Sequence, residues 1–324
     1  MTGISLRYKM YLDVKKIEGG EIVEIRKESE KRSNVTERLS RVSEIDMVRG
    51  VTISLVVLGH TALLPVYDNF FSAFRLPLFF LVSGFLINTE RYLHSYKQFI
   101  LGRVWRLLVP YFSVCIPSWV LWYIRYRDAA DSFTFYQSLM GILNGNGEWL
   151  IINGPIWFLP CLFCADVIYM GVVKLLHKLS WSSNLNKLIA FSVLGLSGTL
   201  IGRYVYLPWS LDVSFAAILF MFIGQMLKQK GIFRSFQIPW WLILSAAIIF
   251  LSDVIWNSPI DMCSRSYNNP ILFFLGGLSG SILMLKLISI VKGLSFLSNR
   301  LYGLEKGLSL FLRCIRLPFS LWIT

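Results

Sequence analysis

One histidine and a small set of cations carry the chemistry available to this sequence. Asp46, Arg49 and His60 lie in Glu-Ile-Asp-Met-Val-Arg-Gly-Val-Thr-Ile-Ser-Leu-Val-Val-Leu-Gly-His, where the first long apolar run begins. Ionisable side chains within such runs are costly to bury and tend to mark function. The step from Arg49 to His60 turns a helix by about 1100°, or three turns plus about 20°, and rises about 16 Å. Both side chains therefore share a face, and Asp46, three residues before Arg49, can pair with it. An imidazole takes and returns a proton near neutral pH, which suits a hydroxyl attacking a thioester. A long anionic donor such as acetyl-CoA needs cations where its phosphates rest. Arg49, Arg103 and Arg106 are placed for that, the last two three residues apart and so on the same side of a helix. Arg75 is the second charge inside an apolar run. A tight connection near 67–70 makes a hairpin that brings His60 and Arg75 to similar depth. There Arg75 can stabilise a developing oxyanion or hold an acceptor.

Each of these residues has a plainer reading. Arg103 and Arg106 also suit simple cytoplasmic anchoring, Arg75 suits snorkelling to the interface, and His60 suits a structural hydrogen bond. Asp166 is a candidate buried acid, whereas Asp212 and Asp253 fall near span ends and suit the interface. His94 and His177 fall in connections and suit solvent or headgroups. Cys161 and Cys164 form a CxxC within an apolar helix, where small apolar packing outweighs redox or zinc chemistry. No metal site and no disulfide framework are expected.

The elements that must position these residues are membrane helices. The chain has 324 residues, 55% hydrophobic and only 16% charged, against roughly 25% charged in soluble domains. Charge-free runs near the length of about 20 residues that a bilayer requires recur along it. Spans are predicted at 48–67, 70–88, 107–125, 156–176, 187–206, 209–228, 238–257 and 269–292, with a weak ninth near 307–323 that Arg313 and Arg316 interrupt. The fold class expected is an all-α, polytopic transmembrane helical bundle of about 8–10 spans. The net charge of +13 comes from 32 basic against 19 acidic residues. The basic residues lie mainly between runs, so they read as topology signals and no nucleic-acid partner is expected. One orientation places every Lys/Arg-rich connection on the cytoplasmic side, with the N-terminus, in an inner or plasma membrane. The longest outer connection is expected over 126–155, with turn chemistry at Asn144-Gly-Asn-Gly-Glu148. Residues 1–45 read as a polar cytoplasmic tail without the apolar core of a secretory leader. Residues 46–292 read as the transmembrane domain. Residues 293–324 read as an ambiguous segment with the pattern of a truncated or aberrant end.

These residues together resemble acyltransferase family 3, the integral-membrane O-acyltransferases, and within it the fucose 4-O-acetylase-like group. Arg49, ten residues and His60 fit the first-helix signature of the family, with Asp46 at the usual acid. Phe74-Arg-Leu-Pro-Leu-Phe-Phe-Leu-Val-Ser-Gly-Phe85 is similar to its second-helix motif. Arg103-Val-Trp-Arg106 followed by Pro110 is similar to its basic motif, and Gly154-Pro-Ile-Trp-Phe-Leu159 to its Trp-Phe-Leu segment. Leu207-Pro-Trp-Ser-Leu-Asp212 and Asp261 to Pro270 are similar to features of the narrower group. The resemblance implies transfer of an acetyl or other acyl group from acyl-CoA, a co-substrate rather than a tightly bound cofactor. The implied acceptor is a hydroxyl of a surface polysaccharide or its lipid-linked precursor. It also implies His60 as a catalytic residue, with Arg49 and Asp46 beside it, Arg103 and Arg106 toward the donor, and Arg75 and Trp157 toward the acceptor or oxyanion.

Two rival classes share the gross features. A transporter or flippase of a lipid-linked glycan also needs many spans and cavity charges, and is often built from repeated halves, which this sequence does not display. A membrane sensor with an N-terminal output leaves Arg49 and His60 dispensable.

Overall fold

The computed structural model describes residues 47–61, 64–126, 132–147, 149–150, 153–231 and 239–292. The chain divides into Met1–Met47 and Val48–Thr324, and the helical bundle belongs to the second unit. The expected tail, Asp46, the segment 293–324 and the weak ninth span lie outside the described residues.

Among the described residues eleven α-helices occur in chain order. They are α1 (Met47–Leu58), α2 (Pro65–Leu86), α3 (Thr89–Leu93), α4 (Tyr96–Arg103), α5 (Val109–Tyr126), α6 (Ser132–Asn144), α7 (Phe158–Lys178), α8 (Asn184–Gly202), α9 (Leu211–Gln229), α10 (Trp240–Trp256) and α11 (Pro270–Lys292). Six helical stretches are long and apolar enough to cross a membrane, and α1 and α10 are shorter apolar helices. The described residues contain no strand, so the all-α, multi-pass class holds.

The first span differs from expectation. α1 ends at Leu58 rather than near residue 67, so the span stops earlier than expected on the side that leads to α2. Gly59 N still bonds to Leu55 O in helical register, and the chain leaves that register over the next two residues. Pro65, at the N-terminus of α2, holds Leu64 extended at φ −62° and ψ 141°, because a residue before proline avoids the helical region. The helix expected to carry Arg49 and His60 on one face therefore ends two residues before His60, which lies in the connection.

The third span is longer than expected. α4, a π-helical turn at Val104–Leu108 and α5 form one 31-residue run, Tyr96–Tyr126. The Val109 N–H reaches back to Val104 O. Pro110 has no N–H for the Arg106 carbonyl, and the wider turn carries the helix past that gap. Within the expected outer connection 126–155 the chain forms α6. It is tied to α5 by Trp119 Nε1 donating to Ser138 Oγ at 2.9 Å and Tyr111 Oη donating to Ile142 O at 2.7 Å. The expected turn after it is present, with Gly145 at φ +61°.

The core centres on α9, 72% of whose span is buried within the protein, the largest share among the six long apolar helices of the described residues. α9 crosses α2 where two glycines meet the opposite backbone. A Cβ on Gly84 would lie 2.0 Å from Met221 O, and one on Gly224 would lie 1.9 Å from Leu81 O. In lipid, helix association depends on such close approach rather than on apolar burial. At the C-terminal end of this crossing Lys228 Nζ donates to Ile87 O at 2.9 Å. The connections α1–α2, α6–α7, α8–α9 and α10–α11 gather at the opposite end, termed the His60 end.

Candidate active site

The His60 end is built by the α1–α2 hairpin. Helical bonding loosens stepwise there: Gly59 N donates to Leu55 O at 3.1 Å, while His60 N donates to Val57 O and Thr61 N to Leu58 O, both at 3.0 Å. The four-residue step has become a three-residue one, and the His60 side chain is exposed. Expectation placed it deep in a span; the early end of α1 places it at the rim.

α2 supplies the charged partners. Asp68 and Arg75 are seven residues apart, about two turns, and so on one face. Arg75 Nη1 donates to Asp68 Oδ1 at 2.7 Å, with side-chain exposures of 13% and 42%. The guanidinium is thus sheltered and turned toward the helix start, with its acid at the solvent edge. It also rests on the hairpin itself: a Cβ on Gly59 would lie 1.9 Å from Arg75 Nη1. Arg75 therefore lies against the residue preceding His60. The His60 imidazole is held below its ordinary value, first by loss of hydration and then by the Arg75 cation, while Asp261 and Asp68 pull the other way. The neutral, proton-accepting form is favoured.

The α10–α11 connection closes over this end. An isolated bridge pairs Asp261 with Ser266. The Asp261 carboxylate accepts from Cys263 N at 2.9 Å, Ser264 N at 3.2 Å and Ser264 Oγ at 2.8 Å. Trp157, in the short 3₁₀ turn Gly154–Trp157 ahead of α7, is 4% exposed. A Cβ on Gly147 would lie 2.9 Å from Cys263 Sγ and 3.0 Å from Trp157 Cδ1. The indole is thus wedged beneath the cover, and its ring is not open to a ligand in this arrangement.

Sequence reasoning missed the anchor of that cover. Arg265 Nε donates to Asp212 Oδ2 at 2.9 Å and Nη2 to Ser210 Oγ at 3.1 Å, and Nη1 bonds Cys263 O. Its guanidinium lies 4.4 Å from the Tyr206 ring centre. The pair is nearly sealed, at 3% and 0% exposure. Asp212 is therefore a buried partner, not an interfacial residue, and Asp253, also at 0%, is likewise buried. The available signal was a lone arginine in a short connection between apolar helices, where a cation needs an acid.

The remaining cations lie elsewhere. Arg49 is exposed near the start of α1. Arg103 reaches α7, with Nε 2.9 Å from Asp166 Oδ2, and its guanidinium lies 4.9 Å from the Phe99 ring centre. Asp166 is eight residues into α7, about 12 Å along the axis, so Arg103 sits within the bundle rather than at its mouth. Arg106 is exposed and lies inside the π turn. That wider turn carries it away from the face an α-helix would share with Arg103. The structure therefore brings together His60, Arg75, Asp68 and the cover that holds Trp157, and keeps Arg49, Arg103 and Arg106 apart from them. Among the described residues no group of His, Cys, Asp and Glu forms a metal site.

A many-helix membrane bundle with a histidine and an arginine at one rim and an Arg103–Asp166 pair in its interior defines a class. The family model described as acyltransferase domain, of the acyltransferase 3 family, matches residues 42–304. The chain belongs to that family. Nodulation protein NolL of Mesorhizobium japonicum is 25% identical over 246 residues, which are 72% of this chain and 60% of that protein. Nodulation protein NolL of Sinorhizobium fredii is 28% identical over 201 residues, 58% of this chain and 52% of that protein. The chain thus spans about half to three-fifths of the length of these relatives. No solved structure matches it.

Proposed function

We propose that this chain is a membrane O-acyltransferase that moves an acyl group, acetyl in the simplest case, from acyl-CoA to a carbohydrate hydroxyl. The acceptor is a surface polysaccharide or its lipid-linked precursor. The protein sits in the plasma membrane with its N-terminus cytoplasmic and the His60 end outward. The observation that carries this reading is the grouping of a neutral-leaning His60 with the Asp68-held Arg75 on one hairpin. Family membership and the apolar helices support it.

In this mechanism His60 accepts the proton of the sugar hydroxyl as its oxygen attacks the thioester carbonyl. A C–O bond forms, and the carbonyl oxygen gains charge that the Arg75 guanidinium offsets. The C–S bond then breaks, and the departing thiolate takes the proton from His60. The ester and free CoA leave, with no net change in the protein. Arg49, Arg103 and Arg106 hold the donor phosphates, Asp46 supports Arg49, and Trp157 backs the acceptor side. Direct transfer fits better than an acyl-enzyme, because the cysteines of α7 are buried and Cys161 lies among Ser210 and Ser214.

A positioned base contributes about 10²–10⁴-fold in rate. His60→Gln keeps a hydrogen-bonding side chain but not the proton shuttle, so it should lose that much. The readout is O-acetyl content of surface glycan by mass spectrometry, from cells with no gene, wild type or variant, together with acetyl-CoA turnover by purified protein. Equal acetylation with and without the gene would overturn the reaction, and a His60→Gln enzyme within a few-fold of wild type would overturn the base.

A further inference from the structure

The acyl-transfer mechanism leaves Asp166 without a role. It is 2% exposed, on a membrane helix, and its partner Arg103 is 23% exposed. An ion pair here could be only a strut between the α4–α5 run and α7. Its geometry is poor for a strut. The 2.9 Å contact joins Arg103 Nε to Asp166 Oδ2, yet neither Nε nor Asp166 Oδ1 has an aligned hydrogen-bond partner. Carboxylates that lock a guanidinium frequently take it in two parallel bonds, which this pair does not form.

The edge that is used matters more. Asp166 faces Nε, and Phe99 covers one face of the guanidinium at 4.9 Å. Neither terminal nitrogen of Arg103 has a hydrogen-bond partner among the described residues, and neither is among the sealed polar atoms. The acid and the ring thus restrict the guanidinium from its inner edge and one face while its terminal fork stays open. That fork is the part of arginine that matches a phosphate bidentately. The π turn begins at the next residue, Val104, and such turns recur at functional sites.

Resting on the acyltransferase reading, we propose that Asp166 is a positioning residue that aims the open fork of Arg103 at a phosphate of the acyl-CoA donor. Electrostatics and positioning predict opposite signs. Asp166 is an anion near the bound anion, so removing its charge alone should tighten donor binding. If it aims Arg103, removing it should weaken binding, because a free guanidinium must be ordered again each time a donor enters.

The test measures binding of radiolabelled acetyl-CoA to the full chain in lipid nanodiscs, with thermal unfolding followed in parallel. Asp166→Asn should weaken binding by about tenfold, the order of one charge-assisted hydrogen bond. Asp166→Glu should recover part of that loss. Arg103→Met should weaken binding at least as much, and adding Asp166→Asn to it should cost little more, since both act through one group. The exchanged pair Arg103→Asp with Asp166→Arg keeps the ion pair but moves the cation to α7. It should fold and still bind poorly, whereas a mere strut would be restored by it. Unchanged or tighter binding in Asp166→Asn, or full recovery in the exchanged pair, would overturn the positioning role and leave the acyltransferase reading intact. Wild-type protein that binds neither acetyl-CoA nor CoA would end both. Should Asp166→Asn not fold, Asp166→Glu and the exchanged pair decide, because each retains the charge pairing.

Discussion

Arg75 lies on the bare backbone of Gly59. The space a Cβ would fill there is 1.9 Å from Nη1 and 2.4 Å from Cζ of the guanidinium. The residue next to His60 is thus the seat of the cation that, with its acid, faces the imidazole.

Gly59→Ala tests that seat. The obstacle is the far end of a flexible side chain, so the backbone need not move, and stability should change by about 1 kcal/mol or less. The guanidinium must leave, however, and turnover should fall to the level of Arg75→Met. Acetylation by Gly59→Ala at the wild-type rate, with a normal unfolding midpoint, would show that the contact is incidental.

The pH dependence has a definite sign. The His60 value lies below 6.5, so the base form prevails at neutral pH. The rate should fall on acidification through an apparent value under 6.5, and be flat from there to neutrality. Arg75→Gln removes a cation that lowers the value, so the acid limb should move to higher pH. Asp68→Asn removes an anion that raises it, so the limb should move to lower pH. The measurement is kcat/KM for acetyl-CoA from about pH 5 to 8, spanning the ordinary histidine range, and limbs that stay in place in both variants would detach His60 from the rate.

Arg265→Met leaves Asp212 ionised and sealed without its partner. Breaking a buried pair from one side costs about 3–5 kcal/mol. The unfolding midpoint should drop sharply, and Asp212→Asn added to Arg265→Met should recover part of it, since the amide carries no charge. An unaltered midpoint in Arg265→Met would mean that the cover over the His60 end is held elsewhere.

Orientation is tested with single cysteines in a chain stripped of its own. Ser264 lies in the α10–α11 connection at the His60 end, and Ser182 in the α7–α8 connection at the other; both are exposed. In intact cells an impermeant thiol reagent should label Ser264→Cys and not Ser182→Cys. The reverse pattern would invert the proposed topology.

Sequence alone determined the class of fold, because lipid leaves so few options. Backbone groups in hydrocarbon must bond within their own helix, so each apolar run near 20 residues had to be helical, and the runs named α2, α5 and α7 to α11 at roughly their observed positions. It also named His60, Arg75 and Asp166, since charge in an apolar run is rare enough to notice. Where each helix stops and what each charge touches depended on tertiary structure. Hydropathy does not register that α1 ends early, ahead of the extended Leu64 that precedes Pro65, nor that a missing N–H at Pro110 is absorbed by a π turn. Spacing likewise cannot find Arg265 and Asp212, 53 residues apart in sequence, or the turn of Arg103 toward Asp166 on a different helix. Those pairs exist because a charge held away from water must find its opposite in space, and only the packed bundle decides which one is within reach.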